Sequence, residues 1–334
     1  MKSKWYSIFS RTVLYAFFFF LSGALGAVEF SLEKKGKTPL YMYGDTARQD
    51  LSGVALVGNK IVFGFDGGKS AQQPEIRIST INSIDKPAYI LRHEILQKDI
   101  EAMTSIDNTF YVLASLSQVS DESGSYRLIT ENKLSENGRY TKTGRFRYLR
   151  DIVFNSLKKH IPNNAWLKRV STSFGKHGGI NAEGLSYTGD ENEIAIGLRS
   201  PLFHPLFGSP INGEDYSLDK GKSILLFAND IFEDDIFDIE LVDLGGQGIR
   251  GMEYIAPLGG YLIISGTVQK GTKFGIWFYK RGSGAVEMDI PGFSGLCRPE
   301  AVLSIPQDQQ VYILGEESGS SCENSTHNYI LLSY

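Results

Sequence analysis

The sequence has little cysteine and little histidine, carries no excess of positive charge, and beyond its first residues has no apolar run long enough to cross a bilayer. Each shortage excludes something. Two cysteines, Cys297 and Cys322, form no C-x-x-C pair, which argues against a zinc site. No G-x-S-x-G string is present, so a serine nucleophile on the usual elbow is excluded. Neither H-E-x-x-H, nor a P-loop, nor a calcium loop of alternating aspartates followed by glycine occurs.

The N-terminus reads as a secretory signal over residues 1–26. Lys2, Lys4 and Arg11 precede an apolar run from Val13 to Leu21, and Ser22-Gly23-Ala24-Leu25-Gly26-Ala27 supplies the small residues of a cleavage site. The competing reading is an uncleaved anchor, but the run is shorter than the roughly 20 residues a span needs. No cysteine follows it, which disfavours a lipid anchor. Cleavage predicts a periplasmic or secreted protein that has no membrane attachment afterwards. Without those three cations, the 34 basic residues fall to 31 against 38 acidic ones, a net charge of about −7. That balance argues against a nucleic-acid partner.

The remainder, 27–334, reads as one all-β domain because of an internal repeat. The segments D50-LSGVAL, D99-IEAMTS, N181-AEGLSY, G248-IRGMEY and R298-PEAVLS share a polar residue, then Gly or Ala, then an aliphatic or Met residue. The aligned polar positions are Ser52, Glu101, Glu183, Arg250 and Glu300. They are separated by 49, 82, 67 and 50 residues. Behind each lies a turn and a strongly apolar strand that ends on Asp66, Ser115, Arg199, Thr267 and Glu316, respectively. With further strands rich in β-branched and aromatic residues, each unit has about four strands. A four-stranded unit recurring near 50 residues is a β-propeller blade, and five units predict five blades.

The last unit lacks an outer strand, and TPLYMYGD at 38–45 is the segment expected to supply it and close the ring. Within the 82-residue gap, Leu149, Ile152, Val153 and Leu157 fall at helical spacing, so 142–180 is expected to be a helical insertion between the second and third repeats. A sixth, degenerate blade is the alternative. Residues 200–221 read as a long loop between the second and third strands of their blade. Cys297 and Cys322 both fall in the last repeat. In an oxidising compartment a disulfide between them would contribute about 3 kcal/mol, and two free thiols are the competing state.

DLSGVA at 50–55, AEGLS at 182–186, GLRSP at 197–201, DLGGQGIRGM at 243–252 and RPEAV at 298–302 resemble a bacterial β-propeller family catalogued as a domain of unknown function. More distantly the chain is similar to phytase-like, esterase-like and gluconolactonase-type propellers. The resemblance implies a propeller and hydrolase ancestry, and a shared fold does not by itself imply a reaction.

In a propeller, residues opening the inner strands converge near the axis. Glu101, Glu183 and Glu300 are therefore candidate metal ligands, calcium being the cation that oxygen ligands would favour. Asp66, Arg199, Arg250 and Glu316 are candidate ligand-binding residues, with the two arginines able to clamp an anion. Candidate catalytic residues are Glu183, Arg250 and His177, the last in FGKHGG just ahead of Glu183. Lys69 is a candidate anion contact, and Glu233-Asp234-Asp235 reads as a solvated turn. Against all of these stands a structural reading in which arginine neutralises glutamate and holds the blades in register. Two functions follow: a metal-assisted, hydrolase-like protein acting on a phosphate ester, ester or lactone, or a non-catalytic propeller that binds a small or anionic ligand or acts as a scaffold.

Overall fold

A computed structural model describes residues 28–38, 51–66, 74–84, 89–91, 97–119, 124–189, 193–205, 221–268, 273–316, 322 and 327–334. The secretory signal, Lys69 and most of TPLYMYGD lie outside these residues. Twenty strands form five four-stranded antiparallel sheets. The first blade comprises β2 (Leu51–Val57), β3 (Lys60–Phe65), β4 (Glu75–Thr80) and β5 (Tyr89–Leu91). The second comprises β6 (Ile100–Ile106), β7 (Thr109–Ala114), β8 (Leu128–Leu134) and β9 (Tyr140–Tyr148). The third comprises β10 (Asn181–Tyr187), β11 (Ile194–Phe203), β12 (Lys222–Ala228) and β13 (Asp238–Val242). The fourth comprises β14 (Gly248–Ile255), β15 (Gly260–Gly266), β16 (Phe274–Lys280) and β17 (Gly284–Glu287). The fifth joins β18 (Pro299–Ile305), β19 (Gln310–Gly315) and β20 (Tyr329–Ser333) to the N-terminal strand β1 (Ser31–Gly36).

The fold is thus the five-bladed β-propeller that the repeat predicts, and the six-blade alternative is excluded. Ring closure takes the predicted form with a different segment. Strand β1 pairs with β20 from Ser31↔Ser333 to Gly36↔Tyr329. Its sequence, SLEKKG, is polar because an outermost strand faces solvent, and five of its six residues are exposed. Apolarity therefore pointed to the wrong stretch.

The core lies between blades. Val54 and Leu51 pack with Leu303 and Tyr329, joining the first blade to the fifth. Met103 and Val112 pack with Val62 and Ile76, joining the second to the first. Glycines set how closely the inner strands approach. A Cβ on Gly53 would meet Met103 at 2.8 Å, and one on Gly184 would meet Met252 at 2.9 Å. The repeated small-then-aliphatic pattern is therefore an interblade contact, in which the small residue of one blade receives the Met of the next.

Between β9 and β10 the chain forms α1 (Arg150–His160) and α2 (Asn164–Thr172). Leu149, Val153 and Leu157 are buried at helical spacing, as predicted. The insertion is shorter than 142–180, because RFRY belongs to β9. The Asn163 side chain caps α2 by accepting from the Trp166 N–H at 3.1 Å. The Trp166 indole donates to the Leu202 carbonyl at 2.9 Å, fixing the helices to the third blade. Glu233-Asp234-Asp235 is the solvent-exposed stretch expected, and Arg147 donates to the Asp234 carbonyl at 2.8 Å and to the Asp235 carboxylate at 3.0 Å. Cys297 and Cys322 are disulfide-bonded, with Cα atoms 5.3 Å apart. No helix of the described residues is long and apolar enough to cross a membrane.

Gly251 gives the sharpest test of interblade packing, since a Cβ there would lie 2.2 Å from the Glu300 carbonyl oxygen. Backbone cannot move aside as a flexible side chain can. Gly251→Ala is expected to destabilise by about 1–3 kcal/mol, read as a lower midpoint in thermal or urea unfolding.

Candidate functional site

Each aligned polar residue sits at a register break between the first and second strands of its blade. The pairing skips Ser52, Glu101, Glu183, Arg250 and Glu300 in turn. A bulge leaves one residue without a partner across the ladder and re-aims its side chain. The second strand runs back antiparallel, so its last residue lies beside the opening of the first. The two aligned sets, whose paired members lie 14 to 17 residues apart along the chain, therefore share one mouth of the ring.

Four of those charged residues bind across blades. Glu183 is 3% exposed; its Oε1 accepts from Arg199 Nη1 at 2.8 Å and from Asn181 Nδ2 at 2.7 Å. Its Oε2 lies 3.2 Å from Arg250 Nε. Arg250 in turn donates through Nε to Glu300 Oε2 at 2.9 Å, and its Nη2 pairs with Glu300 Oε1. Arg199 Nε also reaches the Thr267 carbonyl, 3.2 Å away in the next blade. At the fifth blade Glu316, buried, pairs with Arg298 at 2.5 Å. Gly248 makes room for this network, since a Cβ there would lie 1.9 Å from the Arg199 carbonyl. The string Gly246-Gln247-Gly248-Ile249-Arg250-Gly251 has dinucleotide-loop spacing, but it opens a strand and offers no helix N-terminus to a pyrophosphate.

Beside the network lies a cavity of about 460 Å³ lined by Asp99, Glu101, Ser117, Gln118, Phe174, Gly175, Asn181, Glu183 and Arg199. The helical insertion supplies one wall through Phe174 and Gly175. Ser200 holds that wall by donating to the Gly175 and Gly179 carbonyls at 2.9 and 2.8 Å. GLRSP thus has a local logic: Leu198 enters the core, Arg199 meets Glu183, and Ser200 anchors the loop. The buried Arg150 guanidinium donates to the Leu116 carbonyl, just before Ser117 and Gln118 of the lining.

The electrostatics divide the carboxyls. Burial, then the charges of Glu183, Asp99 and Asp66, push Glu101 well above the ordinary carboxylate range. Burial likewise raises Asp99, against hydrogen bonds from the Ser115 and Ser117 side chains. Burial acts on Glu183 in the same sense, but the guanidiniums of Arg199 and Arg250 outweigh it and hold this carboxyl below the usual range. Glu101 has no hydrogen-bond or ion-pair partner among the described residues.

Glu101, Glu183, Arg199 and Arg250 thus meet at one mouth as the repeat predicts, with Glu300 behind Arg250. Asp66 and Glu316 are near enough for their charges to act on Glu101 and on Arg199, respectively. The three glutamates do not form a cation cage. Arg250 closes Glu183 and Glu300, and among the described residues no group of three His, Cys, Asp or Glu side chains could hold a metal ion. His177 is exposed and does not line the cavity. Sequence reasoning missed Asp99, Asn181 and Phe174. The first two open the repeat segments, two residues before the polar position, and that recurrence was a readable signal. Phe174 carried none, being placed by the insertion.

At the far end of the inner strands, the residue three beyond the polar position accepts a backbone N–H from the next blade. Thr104 accepts from Tyr187 at 2.9 Å and Ser186 from Tyr254 at 2.8 Å. Glu253 plays the same part toward Ser304, and burial pushes its carboxyl up to about 8.

No protein-family model matches the sequence, and no curated protein does. Among solved structures, the chain is similar to a GH43 β-1,3-galactosidase with galactodeoxynojirimycin at 10% identity, over 90% of this chain and 93% of that one, TM-score 0.49. It is similar to an exo-β-1,3-galactanase from Phanerochaete chrysosporium with galactose at 11% identity, over 91% and 64%, TM-score 0.48. A third is the Swd1 β-propeller domain from Myceliophteria thermophila, at 8% identity over 85% and 82%, TM-score 0.36. These neighbours are propellers, and the likeness to phytase-like, esterase-like and gluconolactonase-type proteins gains no support beyond that fold.

Two outcomes follow. Arg250→Met leaves the buried Glu300 carboxylate without its cation and Glu183 with Arg199 alone, and is expected to cost about 3–5 kcal/mol in chemical unfolding. Glu253 holds in the folded state a proton that the unfolded chain releases near 4.5. Stability is therefore full below that value and falls as pH rises toward 8, by up to ~5 kcal/mol. Glu253→Gln is expected to match the wild type at pH 4 and exceed it at pH 9 in thermal unfolding.

Proposed function

We propose that this protein binds a small polar ligand in the funnel cavity, and that Glu101 is the group that engages it. One observation carries the reading: of the four charged residues at the inner-strand bulges, Glu101 alone has no partner among the described residues, and it faces a cavity of about 460 Å³. That volume lies within the range of small-ligand sites, roughly 300–1,000 Å³. The other three charges satisfy one another and serve as the framework. Binding needs no calcium in this reading, because the arginines already compensate Glu183 and Glu300. The disulfide and the N-terminal signal pattern support action outside the cytoplasm.

A second reading, hydrolase-like chemistry on an ester, lactone or phosphate ester, has one observation in its favour. Glu101 and Glu183 line the same cavity with their proton affinities pushed in opposite directions, an arrangement that assigns acid and charge-stabilising roles. Water would add to the ester or lactone carbonyl while Glu101 protonates the leaving oxygen, and the proton released by that water would restore Glu101. The Glu183 charge favours the proton on Glu101 in the resting state. A phosphate ester is the least suited of the three, because Arg199 and Arg250 are already paired.

The mature protein is expected to unfold at the same temperature with EDTA, with calcium and with neither, whereas a bound cation would raise it by mass action. Glu101→Ala is expected to fold and to lose the thermal stabilisation that a binding compound gives the wild type. A calcium-dependent rise, or stabilisation that survives in Glu101→Ala, would overturn the reading.

A further inference from the structure

We infer that the funnel cavity is shaped for an uncharged, polyhydroxylated ring that lays one face on Phe174; this rests on the reading of the cavity as the ligand site. The chemistry of the walls argues against an anion. Arg199, the guanidinium lining the cavity, is tied to Glu183 at 2.8 Å, and Arg250 lies between Glu183 and Glu300. Arg298 is closed by Glu316. An anion entering the cavity would find these cations already neutralised and would face the Asp99 carboxyl.

What remains is a lining of neutral donors and acceptors. Ser117, Gln118 and Asn181 offer a hydroxyl and two amides. Asn181 uses its Nδ2 on Glu183 and keeps its carbonyl oxygen for a donor. Ser117 receives the Ser115 hydroxyl at 2.9 Å and gives its own to Asp99, which leaves it an acceptor for one more donor. Burial and the neighbouring carboxyls favour the acid form of Glu101, which can donate to a hydroxyl. Adjacent hydroxyls, each both donor and acceptor, match such a surface, and few other neutral groups do.

Phe174 supplies the second requirement. It is 45% exposed, on the cavity wall and outside the core. Its loop is not slack: Ser200 ties the following carbonyls, and the Gly179 N–H closes back on the Phe174 carbonyl at 3.0 Å. An exposed aromatic ring on a tied loop can offer its electron-rich face to the carbon-bound hydrogens of a saturated ring. Hydroxyls on that ring's rim then reach the amides and Glu101.

The test measures binding to the full mature chain by calorimetry and saturation-transfer NMR at pH 6.5. Methyl glucoside, methyl xyloside, cellobiose and myo-inositol serve as neutral probes, glucose 6-phosphate and glucuronate as anions, and choline as a cation. At least one neutral probe is expected to bind, with transfer strongest to its ring C–H protons and at least tenfold tighter than either anion. Phe174→Ala is expected to weaken it at least tenfold at unchanged melting temperature, and Phe174→Trp to retain it. Preference for an anion or for choline, or neutral binding indifferent to Phe174 but lost in Glu101→Ala, would overturn the ring inference and leave the cavity as a ligand site. No binding by any probe, or binding untouched by both alanine variants, would overturn both.

Discussion

Arg250, buried between two glutamates from neighbouring blades, is the interaction on which the funnel depends. A guanidinium taken out of water is tolerable only where carboxylates meet it directly, and Glu183 and Glu300 do so from either side. The fourth blade is thereby linked to the third and the fifth at the axis, where no apolar core could do the same without blocking the mouth. Arg199 extends the chain of charges outward and reaches the Thr267 carbonyl. Because these charges compensate one another, the residue left over defines the site.

That residue, Glu101, is a product of position in the ring. The same bulge aims it at the axis as aims Glu183, but the second and third blades offer it carboxylates where Glu183 has arginines. One backbone device, repeated five times, gives opposite electrostatic outcomes according to what the neighbouring blade contributes. The helical insertion then turns an open mouth into a cavity. Its apolar stripe packs on the second and third blades, and the chain leaving it carries Phe174 over the gap.

Much of this was legible. The polar-small-aliphatic repeat located five inner strands, and the small residue proves to be where the next blade's side chain or backbone presses closest, as Gly53 with Met103 shows. The cysteine pair was legible from compartment and count. The closing strand was not, because SLEKKG has the composition of a loop; its pairing to β20 is a backbone matter that side-chain pattern does not report. Nor was the partition among the carboxyls. Nothing in the spacing of Glu101, Glu183 and Glu300 says which two are closed by arginine.

The sequence by itself determined the blade number, the strands that line the axis and the residue types delivered there, since these follow from local periodicity and recur with every repeat. Only the tertiary structure decided which charges pair, which carboxyl stays free and where Phe174 stands. Those outcomes depend on distances of about 3 Å between residues 16 to 67 positions apart, and electrostatic energy at such distances is set by neighbours in space, whatever their order along the chain.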